Sequence, residues 1–124
     1  MYKRQPEDYD VIEATKELLK HHNPQPSLVH GDLWSGNSAV TTSGEPVILD
    51  PATYYGDREV DLAMTELFGG FPSAFYRGYN DVWQLDSGYQ QRKTLYNLYH
   101  ILNHFNLFGG GYASQASRMI QQIL

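Results

Sequence analysis

The sequence contains no cysteine in its 124 residues, so disulfide bonds and zinc–thiolate sites are excluded. It has no cluster of basic residues, and its formal net charge is −5. No apolar run approaches the roughly 18 residues that a membrane-spanning helix needs. We therefore expect neither a nucleic-acid-binding surface nor a membrane partner. The missing cysteine favours a cytoplasmic protein.

The residues that are present indicate a folded globular chain. Hydrophobic residues make up 41% of the sequence and aromatic residues 14%, enough for one domain with a modest core. Hydrophobic periodicity and turn residues predict an α+β fold that is mainly α-helical. The predicted helices cover residues 6–22, 58–68, 71–82 (beginning at Pro72 or Ser73), 89–107 and 112–124. A strand is predicted at 27–29 and a β-hairpin at 38–40 and 47–50.

The stretch His30-Gly31-Asp32-Leu33-Trp34-Ser35-Gly36-Asn37 lies between the predicted strand and the predicted hairpin. The far end of the hairpin carries Asp50. We expect this arrangement to bring Asp32, Asn37 and Asp50 to one end of a small sheet.

These three residue types suit phosphoryl transfer. The reaction needs a carboxylate that positions an acceptor hydroxyl and accepts its proton, and oxygen ligands for Mg²⁺. Asp32 is the candidate base, and Asn37 and Asp50 are the candidate metal ligands. In protein kinases the catalytic-loop aspartate and asparagine are separated by four residues, and Asp32 and Asn37 keep that separation.

The string Leu-Val-His-Gly-Asp-Leu-Trp-Ser-Gly-Asn resembles the fructosamine kinase (ketosamine 3-kinase) family. This family belongs to the aminoglycoside phosphotransferase branch of the protein-kinase-like fold. Further segments carry the same resemblance, which covers roughly residues 24 to 124: 50–52, 55–59, 61–63, 68–71 and 107–112.

The resemblance implies transfer of the ATP γ-phosphate to a sugar hydroxyl of a ketosamine, a fructosamine or ribulosamine that is free or attached to a protein. The family acts in protein deglycation, with ATP and Mg²⁺ as cofactors. The resemblance also implies that Asp61 braces the catalytic loop through backbone amides. His30 is predicted to support the loop, and Trp34 to shape it and to face the acceptor.

A kinase-like enzyme also needs a smaller lobe, with a Gly-rich loop and a lysine–glutamate pair. Neither feature is found in this sequence. We therefore expect residues 6–124 to be part of a C-terminal lobe whose ATP-binding lobe is missing, and the isolated chain to be inactive. Residues 1–5 back-translate as ATG-TAT-AAG-AGA-CAG, the end of a transposase sequencing adapter, and we expect them to be an artefact.

Two alternative functions stay open. One is a kinase-like phosphotransferase for another small hydroxyl acceptor, of the aminoglycoside or choline type. The other is a non-catalytic fragment or binding module, which the missing lobe favours.

Other parts of the sequence have simpler interpretations. Residues 51–57 are predicted to form a loop, and Glu59 and Glu66 to be solvated surface charges. His100 and His104 stand four residues apart on one helix, but no carboxylate accompanies them, so no metal site is predicted.

Two apolar sets are interpreted as packing residues. The first set recurs at helical spacing on the longest predicted helix, which we therefore expect to be the central core helix: Leu95, Leu98, Tyr99, Leu102 and Phe105. The second is an aromatic cluster that we expect to serve in packing, with a contribution to the acceptor site as the alternative: Phe75, Tyr76 and Tyr79.

Overall fold

The computed structural model describes residues 6–124, with side chains from Tyr9 onward. The predicted adapter at residues 1–5 lies outside the described residues. The elements in chain order are α1 (Pro6–Leu19), β1 (Ser27–Val29), β2 (Ser38–Val40), β3 (Pro46–Ile48), β4 (Tyr54–Gly56), α2 (Glu59–Leu67), α3 (Ser73–Val82), α4 (Tyr89–Phe108) and α5 (Ala113–Ile123). The fold is α+β and mainly α-helical, as the sequence predicts.

The chain divides into two compact units. One comprises the described residues up to Asn23 together with Gln90–Leu124, and the other comprises Pro24–Tyr89. The four strands of residues 6–124 and the predicted catalytic loop belong to the second unit.

The predicted hairpin is confirmed. β2 and β3 pair antiparallel, with Ser38 opposite Ile48 and Val40 opposite Pro46. The turn between them is closed by the Gly44 N–H, which donates to the Thr41 carbonyl at 2.9 Å. Gly44 has φ +89°, a conformation that glycine adopts without strain.

The prediction of a plain loop over residues 51–57 is wrong. Tyr54–Gly56 forms β4, which pairs antiparallel with β1 so that Leu28 lies opposite Tyr55. The two strands form a sheet separate from the β2–β3 hairpin, whereas one small sheet was expected. A strand of three residues has too little local pattern to be recognised from the sequence. Its partner strand lies far away in the sequence and gives no local signal either.

The core of the second unit surrounds α2, in which the four consecutive residues 62–65 are all buried. The buried apolar side chains of this unit come from β1, the loop after it, α2 and the first residue of α4: Val29, Leu33, Leu62, Ala63, Met64 and Tyr89. Glu59 is also buried, at 3% exposed, so its prediction as a solvated surface charge is wrong. Helix α2 therefore begins with a buried residue.

The first unit is helical, and α1 packs against α5. On α5, Ala116 and Met119 are buried. On α4 the buried residues include Leu98 and Ile101. No helix in residues 6–124 is long and apolar enough to cross a membrane.

The expectation for the buried face of α4 is only partly correct. Leu98 is buried, but Tyr99 is 71% exposed, and Leu102 and Phe105 are also exposed. The apolar residues cover more than one face of this helix, so helical spacing alone could not identify the buried one.

Candidate functional site

The predicted catalytic loop begins where β1 ends, and Asp61 of α2 holds its first two backbone amides. The N–H of His30 donates to Asp61 Oδ2 at 2.8 Å, and the N–H of Gly31 donates to Oδ1 at 3.0 Å. Asp61 lies in the first turn of α2. This contact is of the kind that the resemblance implies for Asp61, and a carboxylate that accepts two N–H groups makes charge-assisted hydrogen bonds.

Gly31 occupies a position that no other residue could take without rearrangement. Its φ is +88°, and a Cβ built there would lie 2.0 Å from the carbonyl oxygen of Ala52. The Ala52 N–H donates in turn to the His30 carbonyl at 2.8 Å. The close approach of the two backbone segments explains why glycine stands here, where protein kinases have arginine.

His30 joins the loop to the residue that precedes Asp50. Its Nδ1 accepts the backbone N–H of Asp32 at 3.2 Å, so Nδ1 is the unprotonated nitrogen. Its Nε2 then carries the proton and donates to the Leu49 carbonyl at 2.8 Å. His30 is 8% exposed. The contacts of His30 are therefore those of a supporting residue.

Asn37 contacts the candidate base directly. Its Nδ2 donates both to Asp32 Oδ2 at 3.0 Å and to the Asp32 carbonyl at 2.9 Å. The two hydrogens of the amide are thus used, and Oδ1 is the atom of this side chain that suits a cation. Asn37 is 7% exposed, in the 3₁₀ turn Ser35–Asn37.

Two backbone contacts fix the position of Asp50. The preceding residue, Leu49, donates its N–H to the Asn37 carbonyl at 2.9 Å and accepts from His30. Asp50 itself is exposed and has φ +57°, the only positive φ outside glycine in the described chain. A left-handed conformation costs a non-glycine residue about 1–2 kcal/mol, and such residues cluster at functional sites. Asp32, Asn37 and Asp50 are therefore linked by hydrogen bonds, directly or through Leu49.

Trp34 shapes the loop and is partly exposed. The residue is 39% exposed, and its ring makes an edge-to-face contact with Phe68, with 6.1 Å between the ring centroids. Its backbone N–H donates to the Asp32 carbonyl at 3.1 Å, and its carbonyl accepts the Asn37 N–H at 2.9 Å. The indole thus projects from the segment between the candidate base and a candidate metal ligand.

A cavity of about 450 Å³ lies beside the loop, and most of its lining is apolar. His30 and Asp61 contribute to its lining, as do Phe75 and Tyr79 from α3. Among the described residues, the lining does not include Asp32, Asn37 or Asp50. Two residues of the aromatic cluster, Phe75 and Tyr79, therefore line the same cavity as His30 and Asp61.

Sequence reasoning missed the contacts that attach α3 to the start of α2. The guanidinium of Arg58 donates to the carbonyls of Trp83 and Gln84, at 2.7 Å each. It also stacks on the Trp83 ring, 3.8 Å from the centroid. The Asp57 carboxylate accepts the Glu59 N–H at 3.0 Å at the beginning of α2. No sequence pattern pairs an arginine with carbonyl groups about 25 residues away.

A tyrosine pair lies at the other end of α2. Tyr89 donates a short hydrogen bond to Glu66, and Tyr76 donates to Thr65 at 2.8 Å. Thr65 uses its own proton on the Leu62 carbonyl. Burial raises the pKa of the Tyr89 hydroxyl, and the hydrogen bond to Glu66 raises this pKa further. Burial also raises the pKa of Tyr76. Glu66 is therefore more than a solvated surface charge.

The chain is similar to known proteins of one family. The chain matches the family model described as fructosamine kinase over residues 2–124. It is 68% identical over 119 residues to a "probable ketoamine kinase" of Synechocystis sp., covering 96% of this chain and 40% of that protein. It is 52% identical over 116 residues to a chloroplastic "protein-ribulosamine 3-kinase" of Arabidopsis thaliana, covering 94% of this chain and 35% of that protein.

Solved structures of fructosamine kinases are also similar to this chain. The structure of a "putative fructosamine-3-kinase" from Haemophilus somnus matches with a TM-score of 0.81 and 39% identity, over 93% of this chain and 40% of that chain. The corresponding Thermobifida fusca structure matches with a TM-score of 0.80 and 34% identity, over 97% of this chain and 43% of that chain. The predicted fold, that of a kinase-like C-terminal lobe, is confirmed. The chain spans about 40% of the length of the Synechocystis relative and belongs to the fructosamine kinase family.

Proposed function

We propose that the full-length protein transfers the γ-phosphoryl group of ATP to a sugar hydroxyl of a ketosamine, a fructosamine or a ribulosamine, in protein deglycation. The position of Asn37 carries the proposal. Its side-chain amide donates to Asp32 Oδ2, and its backbone carbonyl accepts the N–H of Leu49, the residue that precedes Asp50. Membership of the fructosamine kinase family and the names of the relatives support the acceptor class.

Asp32 is the proposed base. Asn37 donates to its Oδ2, and we assign Oδ1 as the oxygen that would accept the proton of the acceptor hydroxyl. The hydroxyl oxygen then bonds to the γ-phosphorus, and the bond between this phosphorus and the bridging oxygen of ADP breaks. A carboxylate fixed by a hydrogen bond contributes through orientation as well as through proton transfer.

Asn37 Oδ1 and the Asp50 carboxylate would hold the metal ion. The donor set fits Mg²⁺, because it consists of one amide oxygen and one carboxylate, and Mg²⁺ takes oxygen ligands. The orientation of the Asn37 amide supports this assignment, since both of its hydrogens point to Asp32. When bound, Mg²⁺ would neutralise phosphate charge.

His30, Asp61 and Trp34 would serve the site without proton transfer. His30 and Asp61 hold the backbone of the loop through the contacts described above. Trp34 would contact the acceptor with the exposed part of its ring. A cytoplasmic location, predicted from the missing cysteine, stays a prediction.

The test uses a full-length chimera, in which this chain replaces the matching segment of the Synechocystis ketoamine kinase. ADP release is measured with MgATP and each of four acceptors: fructosyl-lysine, ribulosyl-lysine, an aminoglycoside and choline. We expect release with the two ketosamines. Release with the aminoglycoside or choline alone would contradict the ketosamine assignment and favour the alternative acceptor class.

The isolated chain is assayed in parallel. We expect it to release no ADP. If it does release ADP with a ketosamine and Asp32→Asn abolishes this release, the prediction of an inactive fragment is wrong.

The metal assignment has its own variant. Asp50→Asn should raise the Mg²⁺ concentration for half-maximal rate by about ten-fold or more, since the loss of a carboxylate weakens a metal site. Glu45→Gln, on the exposed turn of the hairpin, is the matched control and should leave it unchanged. An unchanged Mg²⁺ dependence in Asp50→Asn would overturn the assignment.

A further inference from the structure

The ring of Trp34 lies directly over Gly36. A Cβ built on Gly36 would lie 2.2 Å from Cη2 and 2.4 Å from Cζ2 of the indole. Both distances are far below van der Waals contact, so any side chain at this position would displace the ring. Gly36 therefore supplies the flat surface on which the indole rests.

Phe68 holds the same ring from the side. The two ring planes meet at 75°, the edge-to-face arrangement that aromatic pairs prefer. Phe68 is the C-cap residue that directly follows α2. The next two residues, Gly69 and Gly70, have φ +73° and +100°, so the backbone turns sharply after Phe68.

The turn brings the chain back against the loop. A Cβ built on Gly70 would lie 2.8 Å from the Cβ of Ser35, the neighbour of Trp34. Helix α2 thus contacts the loop at both of its ends: Asp61 binds the amides at the start of the loop, and residues 68–70 contact Trp34 and Ser35. The helix and the residues that follow it therefore contact both the start and the middle of the loop.

We propose that Phe68 and Gly36 are positioning residues that set the orientation of the Trp34 indole and thereby the affinity for the acceptor. The proposal rests on the proposed function. The acceptor group in this contact is the sugar portion of the ketosamine, whose C–H groups pack on the exposed part of the indole. Neither Phe68 nor Gly36 takes part in proton transfer, so their replacement acts on acceptor binding and leaves the chemical step intact.

Phe68→Leu in the chimera keeps an apolar side chain but removes the ring. An aromatic pair contributes about 0.5–1.5 kcal/mol, so we expect the KM for the ketosamine to rise about two- to ten-fold. The kcat and the KM for ATP should change less than about two-fold. Phe68→Tyr retains the ring and should restore the original KM.

Gly36→Ala tests the second contact. It should raise the KM for the ketosamine at least as much as Phe68→Leu does, because the ring must move. Gly78→Ala is the matched control, since Gly78 is an exposed residue of α3 with open space around its Cβ position. Phe105→Leu, at an exposed position of α4, is the control for the loss of a phenyl ring.

A spectroscopic measurement reports the ring itself. The fluorescence of Trp34 is obtained by subtracting the spectrum of the Trp34→Phe chimera, and its quenching by acrylamide is followed. Phe68→Leu and Gly36→Ala should increase the quenching constant at least about two-fold, and the two controls should leave it unchanged.

The two measurements separate the possible failures. If the unsubstituted chimera phosphorylates no ketosamine while the Synechocystis protein does, the proposed function fails, and the quenching data alone decide the positioning claim. If quenching and ketosamine KM in Phe68→Leu and Gly36→Ala match those of the controls, the positioning claim is overturned. An equal rise in the KM for ATP would also overturn it.

Discussion

Replacing Asp61 by asparagine should detach the first amides of the catalytic loop. The two carboxylate oxygens of Asp61 accept the N–H groups of His30 and Gly31, at 2.8 and 3.0 Å. A hydrogen bond to a charged acceptor is worth about 1.5–3 kcal/mol. Asparagine keeps one acceptor oxygen, turns an NH₂ group toward the other N–H, and removes the charge. Since Asp61 is half-buried, we take the lower part of the range, a loss of about 2 kcal/mol.

The assay is amide hydrogen exchange of the full-length chimera, followed by mass spectrometry on peptides that contain His30 and Gly31. A loss of about 2 kcal/mol corresponds to about 30-fold faster exchange of these two amides. The kcat for the ketosamine should fall as well, because the backbone that carries Asp32 is no longer fixed.

Asp81→Asn provides the matched control, because Asp81 is exposed on α3. It should alter neither exchange in the loop nor kcat. The reasoning is refuted if Asp61→Asn leaves the exchange of His30 and Gly31 as slow as it is in Asp81→Asn.

Three further substitutions test other contacts in the chimera. Gly31→Ala should cost more than about 2 kcal/mol and lower the thermal unfolding midpoint, because its Cβ would lie 2.0 Å from the Ala52 carbonyl oxygen at φ +88°. Arg58→Lys should cost about 1–2 kcal/mol in the same assay, since lysine cannot bind two carbonyls and stack on a ring at once. Tyr89→Phe should cost about 1 kcal/mol at pH 7 by losing its hydrogen bond to Glu66. The pKa of Tyr89 is raised in the folded state, so above about pH 10 the unfolded chain releases a proton that the folded chain keeps. The free energy of unfolding therefore falls as pH rises. Tyr89→Phe should reduce this fall, which is measured by denaturant unfolding between about pH 8 and 11.

Each of these substitutions has a control of the same chemical type at an exposed position: Gly78→Ala, Arg118→Lys and Tyr55→Phe. The interpretation of a contact is contradicted when its variant is as stable as its control. For Tyr89, an alkaline loss of stability that is the same with and without the hydroxyl would contradict the assigned pKa direction.

The helices and the hairpin could be predicted because their signals are local. The hairpin between Val40 and Pro46 has a turn of threonine, serine and glycine, and the five helices have apolar periodicity and recognisable ends. The order Asp32, Asn37, Asp50 was recognisable for a similar reason, because the loop and the hairpin follow each other directly in the chain.

Contacts between distant segments could not be predicted from pattern alone. β4 is recognisable only through its pairing with β1, about 26 residues earlier. Glu59 is hydrophilic in sequence but is buried by tertiary packing. The carbonyl partners of Arg58 carry no side-chain signal, so no residue type marks them. The contact of Asp61 with the loop, 31 residues away, was expected only because of the family resemblance.

The most direct test of the central claim compares the chimera with its Asp32→Asn variant. Phosphorus NMR follows the appearance of a phosphate ester on fructosyl-lysine in the presence of MgATP. We predict that the ester forms with the unsubstituted chimera and that Asp32→Asn slows its formation at least about a hundred-fold, the contribution expected of a general base. An ester that forms at the same rate in both proteins would contradict the assignment of Asp32 and, with it, this account of the site.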